Sequence, residues 1–251
     1  MNEKIYGKNS IIEAIRNKRE LNDVLVTANN TDIISMLNKN NIKYQIVQKG
    51  TIDKILKQPV NHQGVTASVM EYQYYELNDI ISDKSDSLIV MLDGIEDPHN
   101  LGAIVRTCEI SGASGIILPK NRSVKVNSTV SKVSAGAIEH VKVAMVTNLV
   151  NTIKILKEKG YWVVGAEALK ESKNFWDLDL NMKVCLIIGS EGKGLSRLTK
   201  EECDFLVKIP MWGKVNSLNA SVSAALLIYE IRRQQNKKWW LINITIMNCY
   251  I

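Results

Sequence analysis

The apolar positions of this chain change rhythm along its length. Up to about residue 70, short helical and strand periods take turns. An apolar stripe at Ile11, Ile12, Ala14 and Ile15 predicts a helix with Asn9-Ser10 as its cap, and a strand follows over 23–28. Thr31 is the expected cap of a helix through Ile33, Ile34 and Leu37; strands over 42–47 and 64–70 flank a short helix over 51–56. Residues 71–87, rich in Tyr, Asp and Ser, lose the period and read as a linker with one helical turn near 77–81. From Leu88 the pattern settles into apolar runs at 88–92, 115–118, 141–146, 161–166, 184–188 and 205–209, with helical stripes at 101–111, 149–159 and 220–233. Apolar strands alternating with amphipathic helices predict an α/β fold with a mainly parallel sheet covered on both faces. In such sheets ligands sit at the carboxyl ends of the strands. The expected organisation is a small α/β domain over 1–70, a linker over 71–87, a larger α/β domain over 88–235 and an appended tail over 236–251, which carries Lys237-Lys238-Trp239-Trp240 and reads as unstructured.

Composition changes this picture little. With 45% apolar and 23% charged residues in 251, the chain is globular in type, and disorder is not the default. A net charge of +6 fits a polyanionic partner such as RNA, although many soluble proteins are as basic without binding nucleic acid. Cys108, Cys185, Cys203 and Cys249 form no CxxC pair, so neither a disulfide framework nor a metal site is indicated. No apolar stretch resembles a signal peptide or a membrane span, and a reduced cytoplasmic setting is the expectation.

The chemistry concentrates in three clusters, each after a predicted strand. The first runs from Asp93 through a Gly/Pro loop to a helix opening near Asn100, with Arg106 two turns further on. Asn100 suits a helix cap, and Arg106 suits a phosphate or hydroxyl; a capped helix with a solvated Arg explains the same residues. The second, Ile187-Ile188-Gly189-Ser190-Glu191-Gly192-Lys193-Gly194-Leu195, puts three glycines and a carboxylate directly after a strand. Glycines there let backbone approach a ligand closely, but the spacing is neither the P-loop nor the GxGxxG fingerprint, and an ordinary turn is the competing reading. The third, Ile209-Pro210-Met211-Trp212-Gly213-Lys214-Val215-Asn216-Ser217-Leu218-Asn219-Ala220-Ser221, leads into a helix whose small residues Ala220, Ser223 and Ala224 permit close packing. Ser217 and Asn219 fit either helix capping or hydrogen bonds to a sugar.

Together, Asn-x-Gly-x-x-x-Arg-Thr, Ile-Gly-Ser-Glu-Gly-x-Gly and Ile-Pro-Met-x-Gly-x-x-x-Ser-Leu-Asn-x-Ser resemble the SpoU (TrmH-like) family of RNA ribose 2′-O-methyltransferases over residues 88–234. The opening Ile5-Tyr6-Gly7-Lys8-Asn9 and the segment His62-Gln63-Gly64-Val65 resemble the family's substrate-binding domain in the branch that modifies a guanosine of 23S ribosomal RNA. The resemblance implies an α/β knot of the SPOUT type, S-adenosylmethionine as cofactor, an RNA partner and a homodimer with no membrane association. Carried over by position, Asn100, Arg106, Glu191, Ser217 and Asn219 correspond to catalytic and substrate-positioning residues. Gly189, Ile209 and Leu218 correspond to backbone contacts with the cofactor. Arg106 matches the family's proposed base, yet a guanidinium stays protonated in proteins. Its expected role is therefore to orient the target phosphate and acidify the hydroxyl, with Glu191 orienting it or relaying the proton; His99 is an alternative base. The alternatives are a tRNA ribose 2′-O-methyltransferase and a homologue that binds RNA without catalysis.

Overall fold

The computed structural model describes residues 2–57, 59–215 and 217–236. Asn216 and the expected tail from residue 237, with its two tryptophans and Cys249, lie outside the described residues. The elements run β1 (Asn2–Tyr6), α1 (Lys8–Arg16), β2 (Asn22–Val26), α2 (Thr31–Lys39), β3 (Tyr44–Ile46), α3 (Lys49–Leu56), β4 (Val65–Met70), α4 (Leu77–Ile80), β5 (Leu88–Asp93), α5 (Pro98–Ile110) and β6 (Gly115–Pro119). Then come α6 (Ser128–Val133), a 3₁₀ turn (Ala137–Glu139), β7 (Val143–Val146), α7 (Leu149–Glu158), β8 (Trp162–Ala166), β9 (Lys173–Asn174), β10 (Val184–Gly189), α8 (Arg197–Glu201), β11 (Phe205–Lys208) and α9 (Ala220–Gln235). By contacts the chain forms two compact units. One takes residues up to 73 with 97–106 and 125–141; the other takes 74–96, 107–124 and the described chain from 142.

The first unit is built on a four-stranded sheet of order β1-β4-β2-β3. The inner strand β4 is buried from Val65 to Val69, whereas Gln45 and Ile46 on the edge strand β3 are exposed. Ile11, Ala14 and Ile15 of α1 and Ile33 and Leu37 of α2 join Ile5, Val24, Val26 and Ala67 in one core. Each Ile, Leu or Val among them contributes roughly 1.5–3 kcal/mol when fully buried. The expected caps are corrected here. Asn9 and Ser10 lie inside α1, which begins after Gly7, and the Ser10 hydroxyl donates to the Ser131 carbonyl at 3.1 Å. Asn30, not Thr31, precedes α2, and its side chain is spent elsewhere: buried, its amide donates at 3.0 Å to the Thr27 hydroxyl and to the carbonyls of Gln63 and Gly64. His62 completes that corner, accepting the Gly64 N–H through Nδ1 at 3.0 Å, which leaves Nε2 to face Asp53 Oδ1 at 3.0 Å.

The second unit carries a seven-stranded sheet of order β7-β6-β5-β10-β8-β11-β9, parallel throughout. β5 and β10 are apolar and buried at consecutive positions, as inner strands covered on both faces must be. β10 is laid between β5 and β8, both earlier in the chain, and after β11 the chain turns back so that α9 packs on β10. This out-of-sequence insertion followed by a return is a strand order compatible with the expected α/β knot. Residues 77–80 form the expected helical turn, α4, and its Ile80 is buried in the core with Ile89, Met91 and Ile117. Cys108 and Cys185 are fully buried, and burial pushes both thiols far up from their ordinary value. At the far end of α9, the Arg232 guanidinium donates to the carbonyls of Ser111 and Asp86 at 2.8 and 2.7 Å and to that of Gly112. Gln234 and Gln235 beside it bond the backbone of Leu180 and Met182 at 2.6 and 2.7 Å.

Candidate functional site

The site grows from the end of β10. Gly189 closes that strand, and the chain then makes a tight loop in which Ser190 and Gly194 exchange backbone hydrogen bonds of 3.2 and 3.0 Å. A Cβ on Gly189 would fall 2.3 Å from the Gly194 carbonyl carbon and 2.6 Å from Leu195 N, backbone atoms that cannot move aside. Gly194 has φ +64°, and a Cβ there would meet the Glu167 carboxylate at 2.5 Å. These glycines are therefore demanded by loop geometry, whatever the loop binds.

Two carboxylates hold the loop from either side, because the strands flanking β10 each end in one. Asp93, at the end of β5, accepts the Ser196 N–H at 2.8 Å. Glu167, just past β8, accepts the Leu195 N–H at 2.8 Å and pairs with Lys200 at 2.9 Å. Parallel strands in register bring their carboxyl ends to one line, so acids spaced far apart in sequence become neighbours.

Glu191 reaches from the loop to the start of α9. Its Oε1 accepts the Asn219 side-chain N–H at 2.7 Å and the Ala220 backbone N–H at 3.3 Å. Asn219 in turn accepts from Ser221 N at 2.9 Å, so the expected capping role of Asn219 holds. A carboxylate at a helix N-terminus is also favoured by the helix dipole. Both residues thus carry structural duties at the rim of a cavity of about 530 Å³.

That cavity is lined by Gly189, Glu191, Ile209, Ser217, Leu218 and Asn219, which brings two of the three sequence clusters together. Ala166, Glu167, Lys208 and Leu227 also line it and were not singled out in the sequence, whereas Met211 comes from the third cluster and Ser223 was expected only as a packing residue. The signal for Glu167 was an acid directly after an apolar strand.

Residues 97–106 of the first cluster belong to the first unit, and no residue of that cluster lines this cavity. Its helix opens at Pro98, a residue suited to the first helical position, and Asp97 rather than Asn100 caps it by accepting the His99 N–H at 2.9 Å. Asn100 is inside the helix and buried, while Arg106 and His99 are exposed. A Cβ on Gly102 would lie 2.7 Å from Val133 Cβ, so α5 and α6 approach more closely there than any other residue would allow.

The model of the SpoU rRNA methylase family matches residues 87–229, and a model described as RNA 2′-O ribose methyltransferase substrate binding matches residues 4–75. A Bacillus subtilis (strain 168) protein placed in the TrmH family of tRNA/rRNA methyltransferases is 45% identical over 241 residues, 92% of this chain and 96% of that one. Among solved structures, the AdoMet-bound rRNA methyltransferase from Sinorhizobium meliloti is similar at TM-score 0.78 and 26% identity, over 92% of this chain and 87% of its own. The A. aeolicus TrmH/SpoU tRNA modifying enzyme is similar at TM-score 0.56 and 31% identity, over 64% of this chain and 82% of its own.

Proposed function

The chain belongs to the SpoU rRNA methylase family of RNA ribose 2′-O-methyltransferases, which use S-adenosylmethionine, and on that premise we propose that it methylates a guanosine ribose of 23S ribosomal RNA. The observation that carries this reading is the convergence of the Gly189–Glu191 loop, Ile209 and the Ser217–Asn219 segment on one cavity at the carboxyl ends of the strands. Its volume, about 530 Å³, falls in the ~300–1,000 Å³ range of small-molecule sites. Its lining mixes apolar Ile188, Val207 and Leu227 with polar Ser217, Asn219 and Glu191, as an amphiphilic nucleoside requires. The residues therefore fit the cofactor. Gly189, Ile209 and Leu218 would hold it through backbone groups, with no side chain at Gly189 to intervene.

Bound there, S-adenosylmethionine supplies a methyl group on a positively charged sulfur that is already a good leaving group. The protein's task is then mainly alignment of the ribose hydroxyl and removal of its proton. Arg106, an exposed guanidinium, would draw in the target phosphate and stabilise the developing alkoxide. Asn219, fixed in orientation by Glu191 on one side and by Ser221 on the other, would present a set amide geometry to the ribose alongside Ser217. Glu191 acts in this scheme by positioning Asn219.

The ribosomal branch is favoured over the tRNA branch by extent of likeness: the rRNA enzyme spans 92% of this chain, whereas the tRNA enzyme spans 64%. We further propose a homodimer through α9, where Val222, Leu226 and Tyr229 form an exposed apolar stripe at helical spacing. The reading places the enzyme in the cytoplasm with its RNA; among the described residues, no helix is long and apolar enough to cross a membrane. Mapping 2′-O-methyl groups on separated 23S rRNA and tRNA, with and without the protein, tests the substrate. A single new methylguanosine in 23S rRNA is the expected result; methylation confined to tRNA would overturn the ribosomal assignment.

A further inference from the structure

Two tryptophans stand beside the cavity without belonging to its lining. Trp212 is 85% exposed and Trp176 45% exposed. Their rings lie nearly parallel, 12° apart, with centroids separated by 6.4 Å, and Phe175 braces Trp176 from 4.8 Å. Large aromatic faces left in water forfeit the burial that normally stabilises them, so an open stacked pair marks a surface that binds something.

The chain path ties this pair to the cavity on both sides. Trp212 follows Met211, which lines it. Trp176 follows Phe175, whose N–H donates to the carbonyl of the cavity residue Lys208 at 3.1 Å. β9, just before Phe175, pairs with β11, so Asn174 lies opposite Lys208 in the sheet. The surrounding charge is mixed, with Lys173 and Lys214 exposed alongside Asp177. Trp212 has no acidic neighbour on its own loop, where the nearest charge is Lys214.

We propose that Trp212, backed by Trp176, is a stacking platform for an unpaired base of the RNA substrate next to the nucleotide being methylated. This rests on the RNA methyltransferase reading of the adjoining cavity. A ribose hydroxyl inside a duplex is hard to bring to a recessed cofactor. RNA-modifying proteins therefore act on loops and ends, where splayed bases stack on aromatic rings. Lys173 and Lys214 beside the indoles could meet the flanking phosphates, while a protein partner on the neighbouring apolar Val215 and Leu218 would show itself as a change of oligomeric state.

The test uses the full-length protein and three variants: Trp212→Ala, Trp212→Phe and Trp176→Ala. Tryptophan fluorescence is followed during titration with a short single-stranded RNA oligonucleotide. Separately, KM for ribosomal RNA, kcat, and the Kd for S-adenosylmethionine by calorimetry are measured. Stacking predicts quenching in the wild type that is largely lost in Trp212→Ala. It also predicts a KM for RNA raised about tenfold, an unchanged cofactor Kd, and recovery of most of the loss in Trp212→Phe. Trp176→Ala should give a smaller rise in KM. An unchanged KM, a parallel weakening of cofactor binding, or a shift in oligomeric state with normal oligonucleotide binding would each overturn the proposal. The oligonucleotide titration reads the platform without any methyl transfer. A wild type that quenches but neither binds cofactor nor methylates would instead sink the methyltransferase reading.

Discussion

The two units each contain a glycine corner in a segment that carries the family resemblance, and the structure treats them differently. At His62-Gln63-Gly64 the ties are neutral and turned inward: the buried Asn30 amide and the His62 ring hold the backbone, and a Cβ on Gly64 would meet Thr27 Oγ1 at 2.3 Å. At Gly189–Gly194 the ties are the carboxylates Asp93 and Glu167, and the other side of the loop faces a cavity. A glycine signature therefore reports close backbone approach. Whether the thing approached is a ligand or another part of the protein depends on what lies beyond the loop, which only the fold reveals.

The comparison can be broken most severely at the glycines. Gly189→Ala forces a Cβ into immovable backbone, and calorimetry should find cofactor affinity reduced by about 100-fold or more, with stability lowered by ~3 kcal/mol. Gly64→Ala, strained by its φ of +78° as well as by the contact, should cost a similar ~2–3 kcal/mol in urea unfolding while leaving cofactor affinity intact. Equal loss of cofactor binding in both variants would abolish the distinction. Arg106→Ala should lower kcat by about 100-fold if the guanidinium stabilises developing charge; near-normal turnover with only a raised KM would reduce it to an RNA-binding residue. Asn30→Ala takes the Asn30 donor from the Gln63 carbonyl, while the Gly64 carbonyl keeps the Thr27 N–H at 2.9 Å, for a predicted loss of ~1–2 kcal/mol with unaltered kcat. Glu167→Gln keeps an acceptor for Leu195 N–H but loses the ion pair with Lys200, which should weaken stability by ~1 kcal/mol and cofactor binding a few-fold. At the small end, His99→Ala should leave turnover unchanged; a clear fall in kcat would restore it as the base.

Legibility in the sequence followed burial. β5 and β10 stood out because an inner parallel strand is apolar at every position, and α7 and α9 because one face of each is apolar. β1, β9, α6 and α8 did not stand out: they are short and stabilised by neighbours distant in sequence, as α6 is by β1. Caps were misplaced at Ser10 and Asn100 for a related reason. Both residues have cap chemistry, but Ser10 is spent on a carbonyl 121 positions away, and Asn100 is buried inside a helix that Asp97 caps. At the site, Gly189, Glu191 and Asn219 were legible as a motif. Glu167 and Trp176 were not, because one acid after a strand and one tryptophan in a turn are commonplace until parallel strands set them beside the cavity.

Arg232 bears on how the protein comes into being as well as on how it stands. Its guanidinium closes on the Asp86 carbonyl, 146 residues earlier in the chain. At ribosomal rates of roughly 5–20 residues per second, that carbonyl emerges about 7–30 s before its partner exists. For the first part of that interval, until β10 is made, β5 and β6 stand without the strand that belongs beside β5, and an open edge of apolar strand is exposed to whatever else can pair with it. β10 thus sets the time at which that edge is covered, and Arg232 ties the last helix down afterwards. Slowing translation between β6 and β10 should raise the nascent chain's dependence on chaperones, while slowing it after Gln235 should not.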